Sequence, residues 1–337
     1  MRAFVITGPG EWEVQDVAPP AAGPGQVVVD VDRAGVCGTD TEIFTGEMAY
    51  LHEGAARFPI RIGHEWCGTV SAVGDGVDPA WLGRRTTGDT MLGCGRCHRC
   101  LTGRQHVCAE RFEIGVRRGW PGALAEQMPV PVTALHPLPD RVGPAAGALV
   151  EPGGSALRAI EAARLAAGDR VLILGPGAIG LLVALFALAA GAEVHLMGLS
   201  MESMEFGAAL GVHGTWTAEH LPGLPFDAVI DCTNAAALPG LALETVEPGK
   251  RVVYVGLASN PSLVDTRTMV LKDVTAVGIL SASPGLAGTI EQYASGAVDP
   301  TPLVCATVGL SEAGAVLAGQ RPDGAGPGPK VHVDPRR

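Results

Sequence analysis

The chain has 337 residues, more than one hydrophobic core usually serves, which predicts two domains or one large one. Hydrophobic residues make up 47% and charged residues 18%, a globular composition that excludes a disordered chain and a small disulfide-rich module. A formal net charge of −11 disfavours nucleic acid and anionic membrane surfaces as partners. The N-terminus lacks the apolar stretch and cleavage site of a signal peptide, so we expect a cytoplasmic protein without a membrane span.

The first 140 residues show short alternating strands separated by Gly-rich and Pro-rich turns. Residues 27–31 and 68–73 are the clearest of these strands. This pattern predicts an irregular all-β region.

From about residue 144, helical segments rich in Ala and Leu alternate with β-branched runs, which predicts a parallel sheet with helices on both faces. The predicted helices cover residues 145–166, 178–190, 200–210 and 238–246. The predicted strands cover residues 171–174, 193–197, 228–231 and 251–256. A mixed region follows, with a helix at 286–295 and a strand at 330–333.

One uncharged segment, residues 171–192, is long enough to span a bilayer. Gly175-Pro176-Gly177 divides it into a short apolar run and a helix-length run. We therefore predict a buried strand, a tight turn and a buried helix instead of a membrane span.

A cluster of cysteines lies between residues 94 and 108. Its members, in the pattern C-x2-C-x2-C-x7-C, are Cys94, Cys97, Cys100 and Cys108. Four thiolates at this spacing suit one tetrahedral zinc with no open position, hence a structural metal. The alternatives are an iron–sulfur cluster, whose usual run has a shorter last gap and a following proline where this chain has Ala109, and free thiols.

A second group of metal-binding residue types is dispersed along the chain. His64 and Glu65 are adjacent, and such a pair alone is weak evidence, because a buried histidine hydrogen-bonded to a neighbour is the structural alternative. Cys37 and Glu151 add a thiolate and a carboxylate. Together these side chains supply the donor types of a catalytic zinc site.

A dinucleotide fingerprint, G-x-G-x-x-G, lies between a predicted strand and a predicted helix, where a pyrophosphate can meet a helix N-terminus. Its residues are Gly175, Pro176, Gly177, Ala178, Ile179 and Gly180. Gly198 stands where an acidic residue normally holds the ribose, and residues 199–204 contain no Arg or Lys. The cofactor can therefore be NAD or NADP, and NADP is favoured. We assign Ser200, Val255 and Gly256 to the same dinucleotide site.

These residues together resemble the zinc-dependent medium-chain dehydrogenase/reductase family of alcohol, polyol, threonine and sugar dehydrogenases. The resemblance covers the whole chain and rests on the segments around Cys37, His64 and Glu151, the four-cysteine lobe and the Rossmann fingerprint. It implies an α/β plus β fold: a GroES-like catalytic domain (1–150 and 286–337) with a structural-zinc lobe at about 90–112, and an inserted Rossmann domain (151–285). It also implies a cleft between the domains and a homodimer or homotetramer.

Carried over by position, the resemblance assigns the catalytic zinc to Cys37 and His64, with Glu65 and Glu151 binding directly or through a water. A glutamate at the position of Glu151 is typical of polyol, threonine and glucose dehydrogenases. Thr39 matches the hydroxyl that passes the substrate proton.

Two glutamates are weaker substrate candidates. Glu42 stands where the family has a relay histidine, which puts the later proton path in question. Glu113 falls where several polyol and sugar enzymes contact hydroxyl groups, and the alternative is a solvated charge.

The predicted function is hydride transfer between a secondary alcohol of polyol, sugar or cyclitol type, or its ketone, and NAD(P), with two zinc ions per chain. A threonine or simple alcohol dehydrogenase is the alternative within the family. A non-catalytic dinucleotide and zinc sensor is an alternative outside enzymes. A nucleic-acid-binding zinc protein would rest only on the basic residues around the cysteines, which the net charge opposes.

Overall fold

A computed structural model describes residues 1–337, and the chain divides into two compact units. One unit consists of Met1–Glu151, Leu286–Ala294 and Val304–Arg337, and the other of Pro152–Gly285 and Ser295–Leu303. Residues 295–303, which the family resemblance assigns to the catalytic domain, cluster with the second unit. None of the helices combines the length and the apolarity that crossing a bilayer requires.

The strands and helices follow one another along the chain with short connections. The strands are β1 (Arg2–Gly8), β2 (Glu11–Asp16), β3 (Gln26–Gly35), β4 (Glu65–Val73), β5 (Arg85–Gly88), β6 (Met91–Leu92), β7 (Phe112–Glu113), β8 (Gln127–Pro131), β9 (Leu135–Pro137), β10 (Arg170–Leu174), β11 (Glu193–Met197), β12 (Gly214–Trp216), β13 (Phe226–Asp231), β14 (Val246–Tyr254), β15 (Thr275–Gly278), β16 (Val304–Val308) and β17 (Lys330–Val333). The α-helices are α1 (Gly38–Thr45), α2 (Ala49–His52), α3 (His98–Leu101), α4 (Pro144–Ala148), α5 (Val150–Ala163), α6 (Ala178–Ala189), α7 (Met201–Ala209), α8 (Leu238–Thr245), α9 (Thr266–Leu271), α10 (Leu286–Ser295) and α11 (Ala313–Leu317).

The first unit is built on a seven-stranded sheet in which β16, β17, β3, β4, β5 and β9 follow one another and β8 also pairs with β3. Its core includes Phe4, Ile62 and Trp66, whose side chains are fully buried. Burying an Ile or Phe side chain stabilises the fold by about 1.5–3 kcal/mol. The first 140 residues are therefore mainly β, as predicted, but the expectation of an all-β region was wrong in that α1, α2 and α3 also lie there.

The C-terminal strand β17 determines which residues meet at the candidate site. It runs antiparallel to β3, with His332 opposite Gly35, and the Val36 amide donates to the Val331 carbonyl at 3.0 Å. The pairing therefore brings Lys330 beside the turn that carries Cys37, although the two residues are far apart in sequence.

The second unit is a six-stranded parallel sheet in the order β12-β11-β10-β13-β14-β15. β10 is apolar and buried from Val171 to Leu174, as expected of a central parallel strand with both faces covered. The uncharged segment folds as β10, a turn and α6, as predicted. This arrangement is the predicted Rossmann fold.

The prediction of one helix at 145–166 is wrong in one respect. The structure has two helices there, α4 and α5, which are separated at Leu149. Pro152 explains the interruption. Its ring would clash with the carbonyl of Ala148, and its nitrogen carries no hydrogen to bond that carbonyl. A proline is tolerated in the first turn of a helix, which is where Pro152 lies in α5.

Candidate functional site

The four-cysteine lobe brings its sulfur atoms together around one point. The Sγ atoms lie 3.5 Å apart for Cys97 and Cys100, 3.8 Å for Cys97 and Cys108, and 3.9 Å for Cys94 and Cys100. Sulfurs bound tetrahedrally to one zinc at about 2.3 Å would lie roughly 3.8 Å apart. The backbone amides of Arg96 and Cys97 lower the pKa of Cys94 to about 6, which favours the thiolate form that binds metal. The lobe therefore fits a structural zinc.

A second convergence joins Cys37, His64 and Glu65, whose ligand atoms all lie within 4.8 Å of one another. Cys37 immediately precedes α1, His64 lies just before β4, and Glu65 is the first residue of β4. Thiolate, imidazole and carboxylate are the donors that zinc accepts in catalytic sites. The sequence predicted all three residues, and the structure places them in one cluster.

Asp40 is a buried residue of this centre that the sequence reasoning missed. Its carboxylate accepts hydrogen bonds from the Cys37 amide at 2.9 Å and the Gly63 amide at 3.3 Å, and it lies 3.4 Å from His64 Nδ1. Burial alone lowers the pKa of His64, but the charges of Asp40 and Cys37 raise it well above its ordinary value. The signal was an acidic residue three positions after Cys37, the N-cap residue of α1, which is a capping-box spacing.

Lys330 is the second residue that was missed. Its ammonium group is buried and donates to both carboxylate oxygens of Glu65 at 2.8 Å and to the Val36 carbonyl at 3.0 Å. A Cβ on Gly35 would approach Glu65 Oε2 to 2.1 Å, so only glycine leaves room for this carboxylate. Burial alone lowers the pKa of Lys330, but Glu65 and Cys37 raise it above its ordinary value. The pair is thus a buried ion pair beside the metal ligands.

Glu151 lies at the start of α5 and is not one of the three clustered ligands. Its pKa is raised to about 7, chiefly by burial; Glu65 and Asp89 also raise this pKa, whereas His64 and Lys330 lower it. The carboxyl group therefore feels the charges of the centre. Of the proton-path candidates, Thr39 is half-buried in the first turn of α1, whereas Glu42 is exposed.

Glu113 is buried, so the alternative of a solvated charge is wrong. Its carboxylate accepts from Arg111 Nε at 2.8 Å and from the Tyr50 hydroxyl at 3.0 Å. The Arg111 guanidinium also donates to that hydroxyl at 3.1 Å. A substrate contact by Glu113 stays a prediction.

The glycine-rich loop of the second unit lies between β10 and α6. Gly175 has φ of +95°, which favours glycine, and a Cβ on Gly180 would approach the Gly175 carbonyl oxygen to 1.9 Å. Gly177 is the N-cap residue that precedes α6, and a Cβ placed on it would meet open space. The N-terminus of this 12-residue helix can receive a pyrophosphate on its free amides.

The other dinucleotide candidates lie at the ends of neighbouring strands. Gly198 follows β11, and Ser200 caps α7 by accepting from the Ser203 amide at 3.3 Å. The amides of Val255 and Gly256, after β14, donate to the Asp231 carbonyl at 2.9 and 3.1 Å. The structure thus gathers these residues at the carboxyl ends of parallel strands, where α/β sheets bind ligands.

Comparison with known families agrees with this geometry. The alcohol dehydrogenase GroES-like domain matches residues 23–140, and the zinc-binding dehydrogenase family matches residues 178–295. The chain belongs to the zinc-dependent medium-chain dehydrogenase family. This confirms the resemblance, the two-part fold class and the expectation of an NAD(P)-dependent oxidoreductase that acts on CH–OH groups.

Similar proteins include dehydrogenases of different substrates. An L-threonine 3-dehydrogenase of Saccharopolyspora erythraea is 33% identical, with 83% of each chain covered. A 2-dehydro-3-deoxy-L-galactonate 5-dehydrogenase of Pseudoalteromonas atlantica is 30% identical over 94% of this chain and 93% of its own. A zinc-binding dehydrogenase of Sinorhizobium meliloti, solved with bound NADP, is 28% identical and superposes with a TM-score of 0.89 over 99% of both chains.

Proposed function

We propose that the protein oxidises a secondary alcohol of polyol, sugar or cyclitol type, or reduces the corresponding ketone, with a nicotinamide dinucleotide. The convergence of Cys37, His64 and Glu65 within 4.8 Å carries this proposal. A glutamate, Glu151, as the further carboxylate supports the polyol and sugar branch over the simple alcohol dehydrogenases. The similarity to a sugar-acid dehydrogenase, 30% identical, points the same way.

Cys37 and His64 would hold the catalytic zinc, and Glu151 would supply the remaining protein ligand. Glu65 is engaged by Lys330 through both oxygens, so its role is to balance charge beside the metal or to bind it through a water. When bound, zinc supplies a Lewis acid that stabilises negative charge on the substrate oxygen. Asp40 fixes the backbone of Cys37 and lies beside the imidazole of His64, which orients both ligands.

Thr39 would accept the proton of the substrate hydroxyl, because it lies two residues after Cys37 in the first turn of α1. Glu42 follows three residues later, on the same side of the helix and exposed to solvent. A carboxylate there can pass the proton to water in place of the family's histidine.

We propose two zinc ions per chain, one in each cluster, and a preference for NADP over NAD. The two zinc ions are supported by the two groups of converging ligand atoms. The preference for NADP is supported by Gly198, which offers no carboxylate to repel a 2′-phosphate. It is also supported by the hydroxyls of Ser200 and Ser203, which lie 2.7 Å apart at the start of α7.

We also propose a homodimer or homotetramer. β15 is an edge strand of the parallel sheet. Leu271 nearby is 82% exposed and Leu280 is 40% exposed. An open strand edge with apolar neighbours favours pairing with a second chain, and sedimentation analysis would detect it.

The test is a spectrophotometric screen of zinc-loaded protein with NAD and NADP separately. The panel contains polyols, hexoses, cyclitols, L-threonine and simple alcohols. We expect turnover on a polyhydroxylated secondary alcohol, with a higher kcat/KM for NADP.

L-threonine is the second candidate, favoured by the 33% identity to a threonine dehydrogenase. Turnover confined to L-threonine would replace the polyol assignment with that one. If no alcohol of the panel is turned over although zinc and dinucleotide are bound, both substrate assignments are contradicted and a non-catalytic sensor is favoured.

A further inference from the structure

We propose that a cavity in the first unit binds a small anion, namely the phosphoryl or carboxylate group of a metabolite. The cavity has a volume of about 630 Å³, and Arg57, Arg117 and Arg118 line it together with Glu53. Three arginines thus line one cavity in a chain whose net charge is −11. Arginine is suited to such ligands because its planar fork matches phosphate and carboxylate oxygens.

The three arginines have no carboxylate partner. None of the arginine ion pairs of the chain includes Arg57, Arg117 or Arg118. Glu53, which lines the same cavity, forms no ion pair with these three arginines. Arg57 makes no side-chain hydrogen bond. Arg117 Nη1 and Arg118 Nη2 each donate to one backbone carbonyl at 3.4 Å, that of Arg111 and that of Ala109. The other Nη–H groups of these two arginines and the whole guanidinium of Arg57 stay available to a ligand.

Aromatic rings hold two of the guanidinium groups in place. The Cζ of Arg117 lies 5.2 Å from the centre of the Tyr50 ring, and that of Arg118 lies 6.0 Å from the centre of the Phe112 ring. Stacking on a ring orients a guanidinium without consuming its N–H groups. Such preorganisation lowers the entropy cost of binding an anion.

The backbone ties both walls of the cavity together. The Arg117 amide donates to the Glu113 carbonyl at 2.9 Å, and the Glu113 amide donates back at 3.3 Å. Arg118 has φ of +61°, a conformation that non-glycine residues rarely adopt, and its amide donates to the Ala55 carbonyl at 2.8 Å. These bonds hold the segment of Arg117 and Arg118 against the segment that carries Arg57.

A fourth unpaired arginine lines the adjacent cavity. That cavity has a volume of about 370 Å³, includes Arg61 and shares Gly119 with the first. Arg61 Nε is buried without a partner, and burial lowers the pKa of this guanidinium. A desolvated cation without a counter-ion is unfavourable, and an anion in the neighbouring cavity would offset its charge.

Calorimetric titration of the holoenzyme with inorganic phosphate tests the site, against chloride at matched ionic strength. We expect Arg57→Gln and Arg118→Gln each to weaken phosphate binding by about tenfold or more. Arg84→Gln is the matched control, because Arg84 is also exposed, unpaired and stacked on an aromatic ring, Trp81, at 5.9 Å. Thermal melting would verify that each variant is folded.

No heat of binding up to about 10 mM phosphate would overturn the proposal. Equal phosphate affinities of Arg57→Gln, Arg118→Gln and the control Arg84→Gln would also overturn the proposal, because phosphate binding would then depend only on the overall charge.

The anion can be the charged end of the alcohol substrate or a separate ligand. Phosphate that inhibits competitively with the alcohol identifies the first source, and non-competitive inhibition identifies the second. Only this comparison rests on the proposed function. The direct titration decides the anion site even if no alcohol is turned over.

Discussion

The two metal-type clusters are built in opposite ways. The four cysteines of the lobe lie within 15 residues, and their sulfurs converge without help from distant segments. The centre around Cys37, His64 and Glu65 draws its ligands from separate elements, and the C-terminal strand completes it with Lys330. A closed set of four identical donors suits a structural metal, whereas a mixed set surrounded by buried charges suits chemistry.

The centre of Cys37, His64 and Glu65 is called the mixed centre below. Removing one of its ligands should have the largest effect on turnover. We expect His64→Ala to lower kcat/KM on the order of 10³-fold or more, since the Lewis acid at the substrate oxygen is lost. Dinucleotide affinity, measured by fluorescence titration, should be unchanged. His52→Ala, an exposed histidine of the same unit, is the control. Full turnover by His64→Ala would break the assignment of the mixed centre.

Removing the cation of the buried ion pair should come next. Lys330→Met leaves Glu65 buried and uncompensated, which should lower the free energy of unfolding by about 3–5 kcal/mol. The double variant Lys330→Met/Glu65→Gln should recover most of this loss in denaturant titrations. If the double variant is as unstable as the single one, packing and not charge explains the effect.

Substituting one ligand of the lobe should affect stability more than chemistry. We expect Cys97→Ser to lower the melting temperature by roughly 2–5 °C through loss of the structural zinc. Turnover of the folded fraction should change by less than about threefold. An unchanged melting temperature after proven zinc loss would show that the lobe does not support the fold.

The smallest predicted effect concerns His332, on the strand that completes the mixed centre. Both ring nitrogens are buried without a hydrogen-bond partner, and burial, with Lys330 and Arg33 nearby, lowers its pKa from 6.5 to about 3. Between these values the unfolded state binds a proton that the folded state does not. The free energy of unfolding therefore falls as the pH falls, by at most about 1.4 kcal/mol per pH unit.

His332→Phe removes this titration. Denaturant curves of both proteins at about pH 7.5 and pH 5.5 should show a smaller loss of stability for the variant than for the wild type. Equal losses would mean that the folded protein accepts the proton.

The same contrast explains what the sequence could predict. Local spacing was sufficient for the four cysteines and for the glycine-rich turn, because neighbours along the chain create these sites. Lys330 could not be found, since its pairing with Glu65 depends on the register of β17 against β3. The break at Leu149 was visible locally, in Pro152, and was overlooked. The burial of Glu113 could not be found, because it involves a contact with Tyr50, which is distant in sequence.

The most direct test counts zinc and turnover in the same samples of wild type, Cys37→Ala and Cys97→Ser. We predict two zinc ions per chain in the wild type and one in each variant, with turnover abolished in Cys37→Ala and retained in the folded fraction of Cys97→Ser. Turnover retained by Cys37→Ala and lost by Cys97→Ser, at equal zinc content, would contradict the assignment of chemistry to the mixed centre.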